Sequence, residues 1–369
     1  MKTSKKSKLQ QYQDKVQASI NLTNITIEDL GNHTKKLYES LTKIQNSFDN
    51  IRNVPSDEKL KYKNLKKEKS EWKKQVENIE KEYNKTLVKN TGAGAAGAGL
   101  GLAVLTLGPT AAMGVATTFG LASTGTAISA LSGAAATNAA LAWLGGGALV
   151  AGGGGMAAGN AFLTMAGPAG LAIAAISLAA SSLLYWKNSI DKKHLENLFE
   201  AISHRDIKSY ELAIVEILER IKRIDDESEK LDEAIKNIQT FGLDYDLMTE
   251  KQQYALGSYI NLMHSSTQLL INPIKVLETK FSIEDFDSFM HMKSKNTNIC
   301  IYEDSKDLII FLVNMLYKID VDEETKISLW KSLRKNKDML KSKGISKKEF
   351  DIDTMDIVFE ALEFKYKNQ

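Results

Sequence analysis

The chain has 369 residues, enough for two or three domains, and its formal net charge of +2 with 43% hydrophobic and 25% charged residues excludes the strongly basic balance of a general nucleic-acid binder. A single cysteine, Cys300, excludes an internal disulfide framework and fits a reducing compartment. The charge is unevenly spread: residues 1–90 carry 20 basic and 12 acidic side chains, residues 187–369 carry 28 and 34, and the sign reverses across the run between them.

Met1 leads into a lysine-rich polar stretch, not the short apolar core and cleavage site of a secretory signal, so a cytoplasmic starting point is expected. Thr26 followed by Asp29 predicts a helix start. After it, Leu30, Leu37, Leu41, Ile44, Phe48 and Ile51 fall at spacings of seven, four, three, four and three, the seam of a coiled coil. Pro55-Ser56 interrupts the pattern, with Ser56 as the predicted N-cap of a second helix carrying Leu65, Trp72, Val76, Ile79, Tyr83 and Leu87. The short connection predicts an antiparallel hairpin, and residues 1–89 are assigned to it.

The second helix is crowded with lysines, Lys59, Lys61, Lys63, Lys66, Lys67, Lys69, Lys73 and Lys74, with Tyr62 and Trp72 among them. Glu68, Glu71 and Glu77 partly neutralise them, as on an ordinary solvated helix face. The functional alternative is contact with anionic headgroups or an oligonucleotide through Lys63, Lys66, Lys67 and Lys73, with Trp72 as a stacking surface.

Lys89 and Lys187 bracket the most unusual stretch. The 97 residues between them contain no Asp, Glu, Lys, Arg or His and hold 20 of the 24 glycines. An average soluble domain carries a charge at roughly every fourth residue, so residues 90–186 are assigned to a membrane segment. Ala and Gly outnumber Leu and Ile in it, which suits helices that associate in lipid through close backbone approach. Gly97 with Gly101 and Gly155 with Gly159 give the Gly-xxx-Gly spacing of a glycine zipper, though such matches are expected by chance in so glycine-rich a run. Gly-Pro at 108–109 and 167–168 and the glycine clusters at 145–147 and 152–155 divide the run into four helical pieces, 92–107, 110–131, 134–149 and 162–186. The last ends in Tyr185-Trp186-Lys187, the pattern of an interfacial belt. The side chains expected to meet lipid are Leu102, Leu105, Leu121, Leu141, Trp143, Leu149, Phe162, Leu171, Ile173, Ile176, Leu183 and Trp186. Lys85, Lys89, Lys187, Lys192 and Lys193 place positive charge at both ends, which predicts an even number of crossings. The competing reading is a permanently buried Ala/Gly core in a soluble helical protein.

Downstream, Ile190, Leu195, Leu198, Phe199 and Ile202 predict an amphipathic helix that breaks near His204-Arg205. From about Asp206 a long helix follows, with Ile217, Ile221, Ile224, Ser228, Leu231, Ile235 and Ile238 at strict four-three spacing and Gly242 as its C-cap. Another helix is expected over 249–271, stopped by Asn272-Pro273. Residues 187–273 are assigned to a long-helix bundle.

Residues 274–369 are assigned to a regulatory domain. Ser282 with Asp285 predicts a capping box, residues 298–302 a brief strand, and 305–317, 323–341 and 354–364 helices. A second basic cluster after Trp330 includes Lys331, Arg334 and Lys335 and carries the same pair of readings as the first.

The motifs of catalysis are missing from the sequence. The five histidines, His33, His194, His204, His264 and His291, stand at no metal-ligand spacing, and no phosphate-cradling lysine follows the glycines. The Asp320-Val321-Asp322 start of a calcium loop lacks its turn glycine, and no nucleophile elbow occurs. Neither an enzyme nor a cofactor is expected.

With long helices flanking an uncharged segment, the organisation resembles that of alpha-helical pore-forming toxins. The run from Leu131 through Trp143 and Met156 to Gly159 is similar to glycine-rich transmembrane segments of bacterial anti-phage, abortive-infection effectors, among them those of the Hailong type. That resemblance implies an antiviral-defence toxin or ion channel that works beside a nucleotidyltransferase and is controlled by its nucleic-acid oligomer.

The sequence therefore predicts an all-α protein, with a long-helix bundle flanking a Gly/Ala-rich membrane-inserting segment and a small, mostly helical C-terminal domain. Its expected function is a membrane-disrupting or channel-forming effector. It would be a homo-oligomer in the lipid bilayer, at the bacterial inner membrane or in the cytoplasm with insertion on activation. The alternative is a soluble helical scaffold or partner-binding protein.

Overall fold

The computed structural model describes residues 8–91, 109–120, 189–277, 280–293, 302, 305–335, 340 and 345–368. Within them the protein is all-α. The described helices are α1 (Lys8–Asp49), α2 (Ser56–Thr91), α3 (Pro109–Phe119), α4 (Ser189–Ile238), α5 (Glu250–Ile271), α6 (Ile283–Lys293), α7 (Lys306–Leu316), α8 (Glu323–Leu333) and α9 (Ile352–Lys367). No strand occurs among the described residues, where the one extended pairing is an isolated bridge between Arg52 and Asp244. Residues 298–301 of the expected strand lie outside them.

Two compact units share the longest helices. One takes α1 as far as Leu22, α4 as far as Glu211 and the chain from Leu277 onward; the other takes α1 from Thr23, α2, α3, α4 from Leu212 and α5.

The second unit is built on the coiled-coil seam. Leu30, Leu37, Leu41, Ile44, Phe48 and Ile51 are all buried, and Ile27 and Thr34 continue the spacing. α1 and α2 form an antiparallel hairpin: the Tyr62 hydroxyl donates to the Gln45 carbonyl and to Asp49 at 2.8 Å each, and Lys69 donates to Thr42 at 2.9 Å. α1 and α4 run parallel, since His33 meets Asp225 at 2.6 Å and Ser40 donates to Asp232 at 2.8 Å with the same separation of 192 residues. α5 returns antiparallel to α4, with Asn237 bonded to Tyr259, Ser266 to Glu227 and Arg220 to the Asn272 carbonyl. Its ends fall where expected. Thr249 and Gln252 form a reciprocal capping box, and the helix stops before Asn272-Pro273.

The sequence misplaces several boundaries, among them the end of the helix expected over 323–341, which stops at Leu333. α1 begins near Lys8, not Thr26, because no Gly or Pro interrupts the preceding stretch and buried Val16 and Thr23 extend the seam. Ser56 is the first residue of α2, and the Pro55 carbonyl accepts from Lys59 at 3.0 Å in its place as cap. α4 passes unbroken through His204-Arg205. It ends at Ile238, before Gly242 (φ +84°), which occupies the following bend. The strict heptad also drifts there: Ala234 is buried while Ile235 is half-exposed, as a straight 3.6-residue helix requires.

The first unit packs around α7, whose Leu308, Ile309, Phe311, Leu312, Val313, Met315 and Leu316 are buried with Leu195, Leu198, Phe199 and Ile202 from the start of α4. α6, α8 and α9 complete this core. Ser282 and Asp285 exchange backbone-to-side-chain bonds at 2.9 and 3.1 Å at the start of α6, the capping box that the spacing predicts. Among the described residues no helix is long and apolar enough to cross a membrane.

Candidate functional site

The described part of the uncharged run is α3 and Gly120, and its chemistry explains its position. Pro109 occupies the first helical position, where its missing N–H costs nothing. Beyond it come mostly small side chains, with Met113 and Phe119 the large ones, and no charge. A helix that is apolar on every side has no face to offer water, and all residues from 111 to 118 are buried.

The approach to α1 is closer than any side chain permits. A Cβ on Gly31 would stand 1.8 Å from the Thr110 carbonyl oxygen, and one on Gly114 would stand 2.0 Å from that of Ile27. The two glycines thus set a crossing at which backbone meets backbone. Ile27 and Leu30 on α1 and Ala112 and Val115 on α3 are fully buried beside it.

The C-terminal end of α3 is pinned by polar contacts. Gly120 adopts φ +70°, the left-handed conformation that ends helices, and Pro273 leaves no room there for a side chain. Gln75 Nε2 donates to the Gly120 carbonyl at 2.9 Å, and the Ile274 amide donates to the Thr118 carbonyl at 2.7 Å. α3 is therefore held by α1, by α2 and by the segment that follows α5. The helical piece expected over 110–131 is interrupted at this glycine, a correction that follows from its backbone conformation.

Some buried polar atoms near α3, Thr34 Oγ1, Gln75 Oε1 and Thr117 Oγ1, have no hydrogen-bond partner among the described residues. Each such atom costs about 1–3 kcal/mol. On the neighbouring face of α2, Lys69 is buried against the Tyr38 ring at 4.9 Å. Burial, with Lys66 nearby, lowers its ammonium to about 8.

Of the residues singled out in the sequence, Leu102, Leu105, Leu121, Leu141, Trp143, Leu149, Phe162, Leu171, Ile173, Ile176, Leu183 and Trp186 lie outside the described residues, as do Gly97, Gly101, Gly155 and Gly159. In the first basic cluster, Lys66 pairs with Asp49 at 2.7 Å, while Lys67 and Lys73 reach Glu71 and Glu77 at 3.9 Å; Lys63 is exposed. Trp72 corrects the expected stacking surface. It is fully buried, with its ring centroid 5.7 Å from that of Tyr38, because it occupies a seam position. In the second cluster Lys331 and Lys335 are exposed, and Arg334 lies 5.0 Å over the Trp330 ring and donates to the Lys347 carbonyl.

Gly31 and Gly114 belong to no motif of the sequence, and only the structure gives them a role. A signal was present, since glycine within a helix costs about 1 kcal/mol relative to alanine and Gly31 is the sole glycine of α1. Comparisons of the chain with protein-family models, with curated proteins and with solved structures find no match.

Proposed function

We propose that the protein is a membrane-permeabilising effector that oligomerises through its glycine-rich run and is inactive while parts of that run are packed against its own helices. The observation that carries this reading is the 97-residue stretch without an ionisable side chain. The packing of α3 supports it by giving a piece of that stretch a place among α1, α2 and the chain after α5. On this reading the run enters the bacterial inner membrane on activation, and the exposed Lys63, Lys331 and Lys335 offer charge to anionic headgroups. An anti-phage role, with a nucleotidyltransferase or its nucleic-acid oligomer as the trigger, rests on the resemblance of residues 131–159.

The burial of residues 111–118 also suits the second reading, a soluble helical scaffold or partner-binding protein whose Ala/Gly core never leaves the bundle. Dye release from anionic liposomes separates the two. The membrane reading expects leakage at micromolar protein, abolished by Ala174→Lys with Ile176→Asp. A monodisperse, cooperatively melting chain that leaves liposomes intact would sink it and leave the scaffold.

A further inference from the structure

Between α1 and α2 lies a lysine without an acid. Tyr38, Thr42, Gln45 and Asp49 fall on the face of α1 that meets α2, and Tyr62, Lys66, Lys69 and Lys73 fall on the facing stripe of α2, all within the second unit. Lys66 pairs with Asp49 at 2.7 Å, and Lys73 reaches Glu77 at 3.9 Å. Lys69 is 8% exposed; its ammonium donates to the Thr42 hydroxyl at 2.9 Å and has no carboxylate in ion-pair reach among the described residues.

Beside it stands the reverse case, a donor without an acceptor. Gln45 is 3% exposed, and its Nε2 has no hydrogen-bond partner among the described residues. It follows Tyr38 by one heptad and Thr42 by three residues, so it faces the same groove. Helical side chains lean toward the N-terminus of their own helix. In this antiparallel pair Lys69 therefore leans toward the level of Gln45, and Gln45 back toward the level of Thr42.

An ammonium brings three donors to this groove and no acceptor, whereas a secondary amide brings one of each. An amide at Lys69 keeps an N–H for Thr42, offers a carbonyl oxygen to the Gln45 donor and leaves no charge buried beside Lys66 and Lys73. We infer that the Lys69 ε-amine is an acylation site for small acyl phosphates. The lone pair of the neutral amine forms the N–C bond to the acyl carbon, and the bond from that carbon to the phosphate oxygen breaks. Its electron pair leaves with the phosphate, and the surplus amine proton goes to water. Gln45 Nε2 donates to the oxyanion of the intermediate, and the Lys66 and Lys73 ammoniums attract the phosphate. Burial, with Lys66 nearby, brings Lys69 to about 8, so at that pH it offers about 150-fold more neutral amine than a lysine at the ordinary 10.5. A less basic nucleophile is the weaker one, by the relation that thiolates obey, and this returns roughly tenfold.

Site-resolved mass spectrometry of the full chain in acetyl phosphate at pH 8, without lipid, measures the initial rate at each lysine. Lys69 should react about tenfold faster than Lys63, which is exposed on the same helix. Its rate should level off above pH 8 while that of Lys63 keeps rising. In urea the groove is gone, and the two rates should agree within about twofold. Gln45→Leu, with helicity unchanged by circular dichroism, should slow Lys69 about tenfold and leave Lys63 alone. Lys69 reacting no faster than Lys63, an advantage that survives urea, or a natively helical Gln45→Leu chain with its Lys69 rate unmoved would each overturn the assignment. The wild-type and urea rates decide without the variant, and because no lipid is present either result leaves the membrane reading untouched.

Discussion

α3 and α7 are both 11 residues long and both surrounded by protein on nearly every side, but opposite devices hold them in place. α7 buries Leu, Ile, Phe, Val and Met side chains, each worth about 1.5–3 kcal/mol. α3 buries Met113 and Val115 but otherwise alanines and threonines, and an alanine methyl contributes only about 0.8 kcal/mol. What α3 lacks in area it recovers in proximity, through the Gly31–Gly114 crossing. The end caps differ in the same sense. Arg205 Nη1 donates to the Met315 and Tyr317 carbonyls at the end of α7, at 2.9 and 2.6 Å, while the neutral Gln75 amide serves the end of α3. A helix held by large side chains resists removal, whereas one held by small residues can be displaced whole once the crossing opens.

The strongest way to break this contrast is Gly114→Leu. The new side chain must displace the Ile27 carbonyl, a backbone atom that no rotamer change relieves. α3 is expected to leave its site, at a cost above about 4 kcal/mol, in the rare upper tail of single substitutions. Thiol labelling of Ala112→Cys on a Cys300→Ser background reads it: protected with Gly114 present, labelled with Leu. Continued protection would mean that the crossing is not what holds α3.

Next comes Arg205→Leu in the other unit. Asp206 is 4% exposed and paired with Arg205 at 2.8 Å. Removing the guanidinium strands a buried carboxylate, which costs about 3–5 kcal/mol, and also frees the carbonyls at the end of α7. Denaturant unfolding should register the loss, and Arg205→Lys should recover only part of it, because an ammonium lacks the fork that spans carboxylate and carbonyls.

These two sites mark how far the sequence could be read. The ends of α5 were legible because Thr249, Gln252 and Pro273 act on their immediate neighbours, and the seam of α1 was legible because burial repeats at helical spacing. The continuity of α4 through His204-Arg205 is not legible locally, because the partner of Arg205, the end of α7, lies 110 residues away in the chain. The same limit hid the crossing. Gly31 and Gly114 are each unremarkable locally, and only contact between α1 and α3 gives them meaning. The parallel pairing of α1 with α4 was equally invisible, since heptads specify a seam without its direction.

A smaller effect should appear with pH. Burial raises the Asp206 carboxyl from its ordinary 3.8 to about 6, against the pull of Arg205. The folded unit then keeps a proton that the unfolded chain releases between those values, so this group's contribution is fully favourable below about 3.8 and is lost as pH rises through 6. The upper limit is on the order of 3 kcal/mol. The free energy of unfolding measured at pH 4 and pH 7 should fall by more in wild type than in Asp206→Asn, where the carboxyl is gone; equal slopes would assign the titration elsewhere.

The least effect is expected from Gln75→Leu, and it is the most delicate test of the contrast. The variant loses one neutral hydrogen bond, to the Gly120 carbonyl, ordinarily worth about 0.5–1.5 kcal/mol. It also removes Gln75 Oε1, a buried oxygen without a partner among the described residues, and so relieves a desolvation cost. The two changes oppose each other, and a net loss below about 1 kcal/mol should follow, with Ala112→Cys still protected from labelling. A loss near that of Arg205→Leu would mean that the amide anchors α3 as firmly as the guanidinium anchors α7. The difference between the two helices would then lie in their side-chain volume alone, and α3 would be no easier to displace than its cap allows.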